Sequence, residues 1–142
     1  MNRSLFLILP ALLSGCAAAW EAIEYAPAGL AGKDPRAEIE SIVTSKPGCI
    51  SRVAWGEKEL RVEARCGPET EQYVAHFDRV QRIEVKRHNK LSDTYLVALA
   101  HNDGSAEFYW QPRNRDEATR LADALSALAT PPPPRGALIE AR

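Results

Sequence analysis

Residues 49–66 constrain the fold more than any other stretch, because several independent features agree there on one strand pairing. A turn signal at Gly56-Glu57-Lys58 separates two runs of alternating apolar and polar residues. With Glu57-Lys58 at the centre, Trp55 faces Leu60, Val53 faces Val62, Arg52 faces Glu63 and Cys49 faces Cys66. The apolar pairs then share one face and an opposite-charge pair takes the other. A slip of one residue would turn every side chain to the wrong face. Gly67-Pro68 ends the second strand. Cross-strand Cβ atoms lie about 4.5–5.5 Å apart and a disulfide needs about 3.5–4.5 Å, so a Cys49–Cys66 bond requires the closer, non-hydrogen-bonded kind of site. The other use of the same placement is two buried free thiols packing as small apolar groups.

Around this hairpin the order of elements is α+β. Asp34-Pro35 supplies a helix start, with an acceptor at the N-cap and proline at the first helical position. Ile39, Ile42 and Val43 fall on one face, and Lys46-Pro47-Gly48 stops the helix. Residues 73–77 and 80–87 read as strands, with Val74, Val80, Ile83 and Val85 as apolar positions. Residues 95–101 form the most apolar strand, and Asn102-Asp103-Gly104 a tight hairpin turn into residues 105–110. In that register Leu99 meets Phe108 and Val97 meets Trp110. Asn114 and Glu117 open the clearest helix, whose stripe is Ala118, Leu121, Ala122, Leu125, Leu128 and Ala129. Thr130 and the prolines 131–134 end it. The expected architecture is an antiparallel sheet or half-open barrel of about six strands, with a short N-terminal helix and a long C-terminal amphipathic one.

The chain starts differently. Asn2 and Arg3 precede a short apolar run, residues 5–13, that Pro10 breaks and small residues close. This is the charge–apolar–small layout of a secretory signal, too short to span a bilayer. Its end, Leu13-Ser14-Gly15-Cys16, resembles the lipobox of bacterial lipoproteins. That resemblance implies diacylglycerol on the Cys16 thiol, cleavage before Cys16 and a third acyl chain on the new amine. Two or more chains make anchoring stable, each buried methylene contributing ~0.8 kcal/mol. The alternative is an ordinary secretory signal cut near Ala17-Ala18-Ala19. Ala17 stands where an inner-membrane retention signal often places Asp, which by analogy with Gram-negative lipoproteins implies an outer-membrane, periplasm-facing location. Such a compartment permits a disulfide between Cys49 and Cys66. The organisation expected is a signal over residues 1–15, a lipid-anchored tether over 16–33, a globular domain over 34–130 and a proline-rich tail over 131–142. Trp20, Ile23 and Tyr25 are the tether residues able to sit at the lipid interface or dock onto the domain.

From Tyr73 to Leu128 the pattern resembles the pleckstrin-homology-like superfold in its bacterial form. Phe77-Asp78-Arg79-Val80-Gln81-Arg82-Ile83-Glu84 makes an aromatic-led turn into a strand with spaced aliphatics. After it come the strand at 95–100, the turn at Asp103-Gly104, the aromatic strand Phe108-Tyr109-Trp110 and a terminal helix able to plug a half-open barrel. That superfold has seven strands and no leading helix, and it hosts many tasks.

Chemistry is sparse. There is no Gly-x-Ser-x-Gly. His76, His88 and His101 lack His-x-x-x-His or Cys-x-x-Cys company, so neither a catalytic nor a metal site is expected, and no cofactor. Glu57/Glu59 and Glu69/Glu71 fall at turns, as solvated acids do. With 18 Lys+Arg against 19 Asp+Glu, no nucleic-acid partner is implied. Arg79, Arg82, Lys86, Arg87 and Lys90, beside His88, form one basic concentration, with Arg82, Glu84 and Lys86 on one strand face. It is a candidate surface for an anionic partner such as lipid head groups, lipopolysaccharide or an acidic protein patch. The plain alternative is that it keeps the outer face soluble and blunts a strand edge. The expected function is a non-enzymatic binding or adaptor module, anchored to the membrane through Cys16 and contacting an envelope protein or polymer. The second expectation is an inhibitor of a cell-wall lytic enzyme, with a loop near residues 86–90 reaching into an acidic cleft. Nothing in the sequence fixes the oligomeric state.

Overall fold

The computed structural model describes residues 19–24, 28–79, 82–91, 93–101 and 105–129. The signal, Cys16, Tyr25, Val80, the Asn102-Asp103-Gly104 turn and the tail at 131–142 lie outside the described residues. The elements are β1 (Trp20–Ala22), α1 (Pro35–Thr44), β2 (Ile50–Trp55), β3 (Glu59–Arg65), β4 (Thr70–His76), β5 (Arg82–His88), β6 (Tyr95–Ala100), β7 (Ala106–Trp110) and α2 (Arg115–Leu128). The strands form two antiparallel sheets, ordered β1-β5-β6-β7 and β2-β3-β4. The single sheet or half-open barrel of about six strands is corrected, among the described residues, to seven strands in two sheets with no closed barrel.

Local chemistry builds each element. The Asp34 carboxylate caps α1 by accepting from the Ala37 N–H at 3.3 Å, and Pro35 takes the first position. Ile39, Ile42 and Val43 are buried, and Gly48 leaves the helix at φ +77°, a conformation cheap only for glycine. In the β2–β3 hairpin Trp55 pairs with Leu60, Val53 with Val62 and Arg52 with Glu63. One step past the ladder, Cys49 and Cys66 are joined by a disulfide across a Cα–Cα distance of 4.0 Å. In the other hairpin Val97 pairs with Trp110 and Leu99 with Phe108, and the register shifts after Leu99.

The core lies between the two sheets and under the helices. Asn114 caps α2 by accepting from the Glu117 N–H at 2.9 Å, and Ala118, Leu121, Ala122 and Leu125 are fully buried. This helix packs on β5, β6 and α1. The sheets approach one another at β4 and β7, where the Tyr73 ring meets Phe108 and Trp110 edge-on and the His76 N–H donates to Glu107 at 3.3 Å.

The expected tether over 16–33 docks onto the domain at residues 19–24 and 28–30. The strand it contributes, β1, pairs Trp20 with His88 and Ala22 with Lys86. Ile23 donates its N–H to the Val85 carbonyl at 3.0 Å, and the Ala28 N–H donates to Asp123 at 3.1 Å. Ile23 and Leu30 pack against the core. Without β1, the outer edge of β5 would hold unpaired backbone groups, and three apolar side chains at 20, 23 and 30 give the segment enough burial to cover it. β5 is therefore an interior strand, and its charges blunt no edge.

Candidate functional site

The five cations of the candidate surface do not form one patch. Arg79 lies in the loop after β4, Arg82 opens β5, and Lys90 lies beyond its far end. At a strand rise of about 3.3 Å per residue, the two ends of β5, residues 82 and 88, are ~20 Å apart, so the group is stretched along the molecule. Arg82, Glu84 and Lys86 share a face as their spacing requires. Glu84 is buried between the two cations, with Arg82 Nε at 2.7 Å and Lys86 Nζ at 3.1 Å. A buried carboxylate needs such partners, so these two cations are committed to the fold. Arg87 points the other way and meets Glu21 of β1 at 3.4 Å, in a pair half exposed on both sides. Of the five, Arg79 and Lys90 are the cations least engaged, and they sit at opposite ends.

Strand directions give the molecule two distinct ends. At one end lie the start of β1, the end of β5, the start of β6, the end of β7 and the disulfide at the open end of the β2–β3 hairpin. A hollow of about 230 Å³ there is lined by Trp20, Lys46, Cys66, Leu96, Tyr109 and Trp110 among others. The Lys46 ammonium stands 5.1 Å from the centre of the Trp110 ring. Burial depresses its pKa, against an opposing pull from Glu71. The Trp20 ring is edge-on to His88 at 5.1 Å. His88 Nδ1 accepts from the N–H groups of Lys90 and Leu91, both at 3.1 Å, and so organises the start of the β5–β6 loop. Burial and a hydrogen bond to Glu71 together push the Tyr73 phenol above its ordinary range.

The other end gathers charge. Glu107 of β7 is hydrogen-bonded by His76 of β4 and faces His101 Nε2 at 3.7 Å. His76 Nε2 lies 3.7 Å from Glu59, which also holds Arg61 at 2.9 Å. His101 Nδ1 lies 3.0 Å from the Arg79 carbonyl oxygen. These histidines, expected to be separate, and Glu59, expected to be solvated at a turn, come together although no spacing in the sequence joins residues 59, 76, 101 and 107. Only the hairpin register, which sets 107 near 101, carries a signal. Among the described residues no group of three or more His, Cys, Asp or Glu could hold a metal ion.

A third surface, the outer face of the three-stranded sheet, carries a shallow hollow of about 330 Å³ beside Arg52, Arg61, Glu63, Gln72 and Val74. Among the described residues no helix is long and apolar enough to cross a membrane. Comparison with family models, with curated proteins and with solved structures finds no match.

Proposed function

We propose that this is a lipid-anchored envelope protein, attached through Cys16, whose domain is a non-enzymatic binding or adaptor module facing the periplasm from the outer membrane. The observation that carries the reading is the Cys49–Cys66 disulfide. Such a bond suits a chain that leaves the reducing cytosol, and residues 1–15, followed by Cys16, resemble a lipoprotein leader. Six strands, β2–β7, followed by a helix across the inner face support the pleckstrin-homology-like resemblance, one strand short of its seven and with α1 and β1 as additions to it. That scaffold is used to present surfaces, and the end rich in His76, His101, Glu107 and Arg79 is the surface offered to a partner. An inhibitory loop over residues 86–90 has weaker support, since Lys86 and Arg87 are engaged by Glu84 and Glu21.

The test is fractionation of cells labelled with palmitate. The wild-type chain should carry label and sediment with membranes, and Cys16→Ser should lose both properties. Label persisting in Cys16→Ser would overturn the assignment. Purified mature protein should leave muramidase activity unchanged, and inhibition at stoichiometric ratio would favour the inhibitor instead.

A further inference from the structure

The proposed anchor and the first docked residue are very close in sequence. The Ala19 carbonyl accepts from the Asn89 N–H at 2.9 Å, so residue 19 is fixed to the β5–β6 loop. Cys16 precedes it by three residues, a reach of at most ~11 Å at full extension. A lipid on Cys16 therefore leaves no room for a long spacer, and the end of the sheets where β1 begins must lie at the membrane surface.

That end is also where the exposed apolar side chains are. The large hydrophobic residues with the greatest exposure among the described residues are Ile50 at 74%, Leu91 at 56% and Tyr109 at 49%. Leu91 is in the loop that holds Ala19. Tyr109 shares the 230 Å³ hollow with Trp20, while Ile50, at the start of β2, lies at the same end but beside Arg52, Glu63, Arg65 and Thr70. Tryptophan, tyrosine and leucine beside lysine suit the headgroup region of a bilayer, and the anchor brings this end to it. Charge there is close to balanced. Lys46, Arg65, Arg87 and Lys90 stand with Glu21, Glu69, Glu71 and Asp93, so apolar insertion and not electrostatic attraction sets the contact.

We infer that Trp20, Leu91 and Tyr109 form a seat by which the domain rests directly on a phospholipid bilayer, its His76–Glu107–His101 end held away from the lipid. The inference rests on the anchor proposed at Cys16. Seating would fix the orientation of the domain, which a flexible tether would leave random.

The test is amide hydrogen exchange of the full lipidated protein in vesicles of phosphatidylethanolamine and phosphatidylglycerol, compared with the Cys16→Ser protein in solution. Exchange at residues 88–91 should slow several-fold on vesicles, and residues 56–58 and 77–79 should not change. Raised salt should leave the slowing in place. Leu91→Asp, a substitution at an exposed site, should abolish it while the protein stays with the vesicles. Failure to recover a lipidated, vesicle-bound protein would refute the anchor. A bound protein with unchanged exchange at 88–91, slowing at the opposite end, or slowing lost in salt would refute the seat and leave the anchor standing.

Discussion

The two sheets are stabilised by different means. The four-stranded sheet lies under α2, whose Leu121 and Leu125 are fully buried, and two of its strands, β5 and β6, run buried apolar residues into that contact. The three-stranded sheet has a half-buried strand at its edge, with Ser51, Val53 and Trp55 each only partly covered, and it closes its open end with a disulfide. Both sheets share one core, to which the three-stranded sheet gives Leu60, Val62, Ala64 and Ala75, but that sheet adds a covalent link and polar contacts from α1. The same chain thus answers two deficits, and each answer fails under a different perturbation.

The largest loss should come from the packed side. Leu125→Ala should cost about 2–5 kcal/mol in urea unfolding, as large-to-small core changes do. A melting temperature that hardly moves would mean that α2 is not what covers the sheet. Next comes the clip: replacing Cys49 and Cys66 by alanine should cost ~3 kcal/mol in the chain-entropy model for a loop of this size. Hydrogen exchange should then rise in β2 and β3 before it rises in β5 and β6. Uniform loss across both sheets would merge the two regions into one.

Acid should act on the helix side. Burial alone would raise the Glu117 carboxyl, but hydrogen bonds and charge from Arg113, aided by Arg120, outweigh it and hold its pKa below the ordinary range. A depressed folded-state pKa gives stability that is present above the ordinary glutamate range and lost as pH falls below it. Glu117→Gln should flatten that part of the stability profile, and an unaltered slope would contradict the pairing seen at 2.5 Å. Smaller still, Glu40→Ala removes the acceptor 2.6 Å from Trp55 Nε1 and should cost about 1 kcal/mol by loosening α1 from β2. A cost equal to that of Leu125→Ala would put the polar contacts of the three-stranded side on a par with packing.

Much of this was legible before any coordinates. The hairpin register at 49–66 rests on apolar pairs, a charge pair and a turn that agree, and the structure has the same pairs. The stripe on α2 and the Leu99–Phe108 pairing were legible for the same reason: periodicity and turn chemistry act over short distances. Three features were not. β1 is only three residues long and pairs with β5 more than sixty residues on, a contact no local pattern encodes. The division into two sheets depends on which strands fail to pair. The cluster of His76, Glu107, His101 and Glu59 is assembled by that division. The basic run misled in the opposite direction, since neighbours in sequence along an extended strand are distant in space.

The most direct test of the account is intact-mass analysis of the protein extracted from membranes, alkylated under denaturing conditions without reduction. The account predicts a chain beginning at Cys16 and carrying a diacylglyceryl group and an amide-linked acyl chain, with Cys49 and Cys66 unalkylated. An unlipidated chain beginning downstream of Cys16, or a chain with both cysteines alkylated, would contradict it.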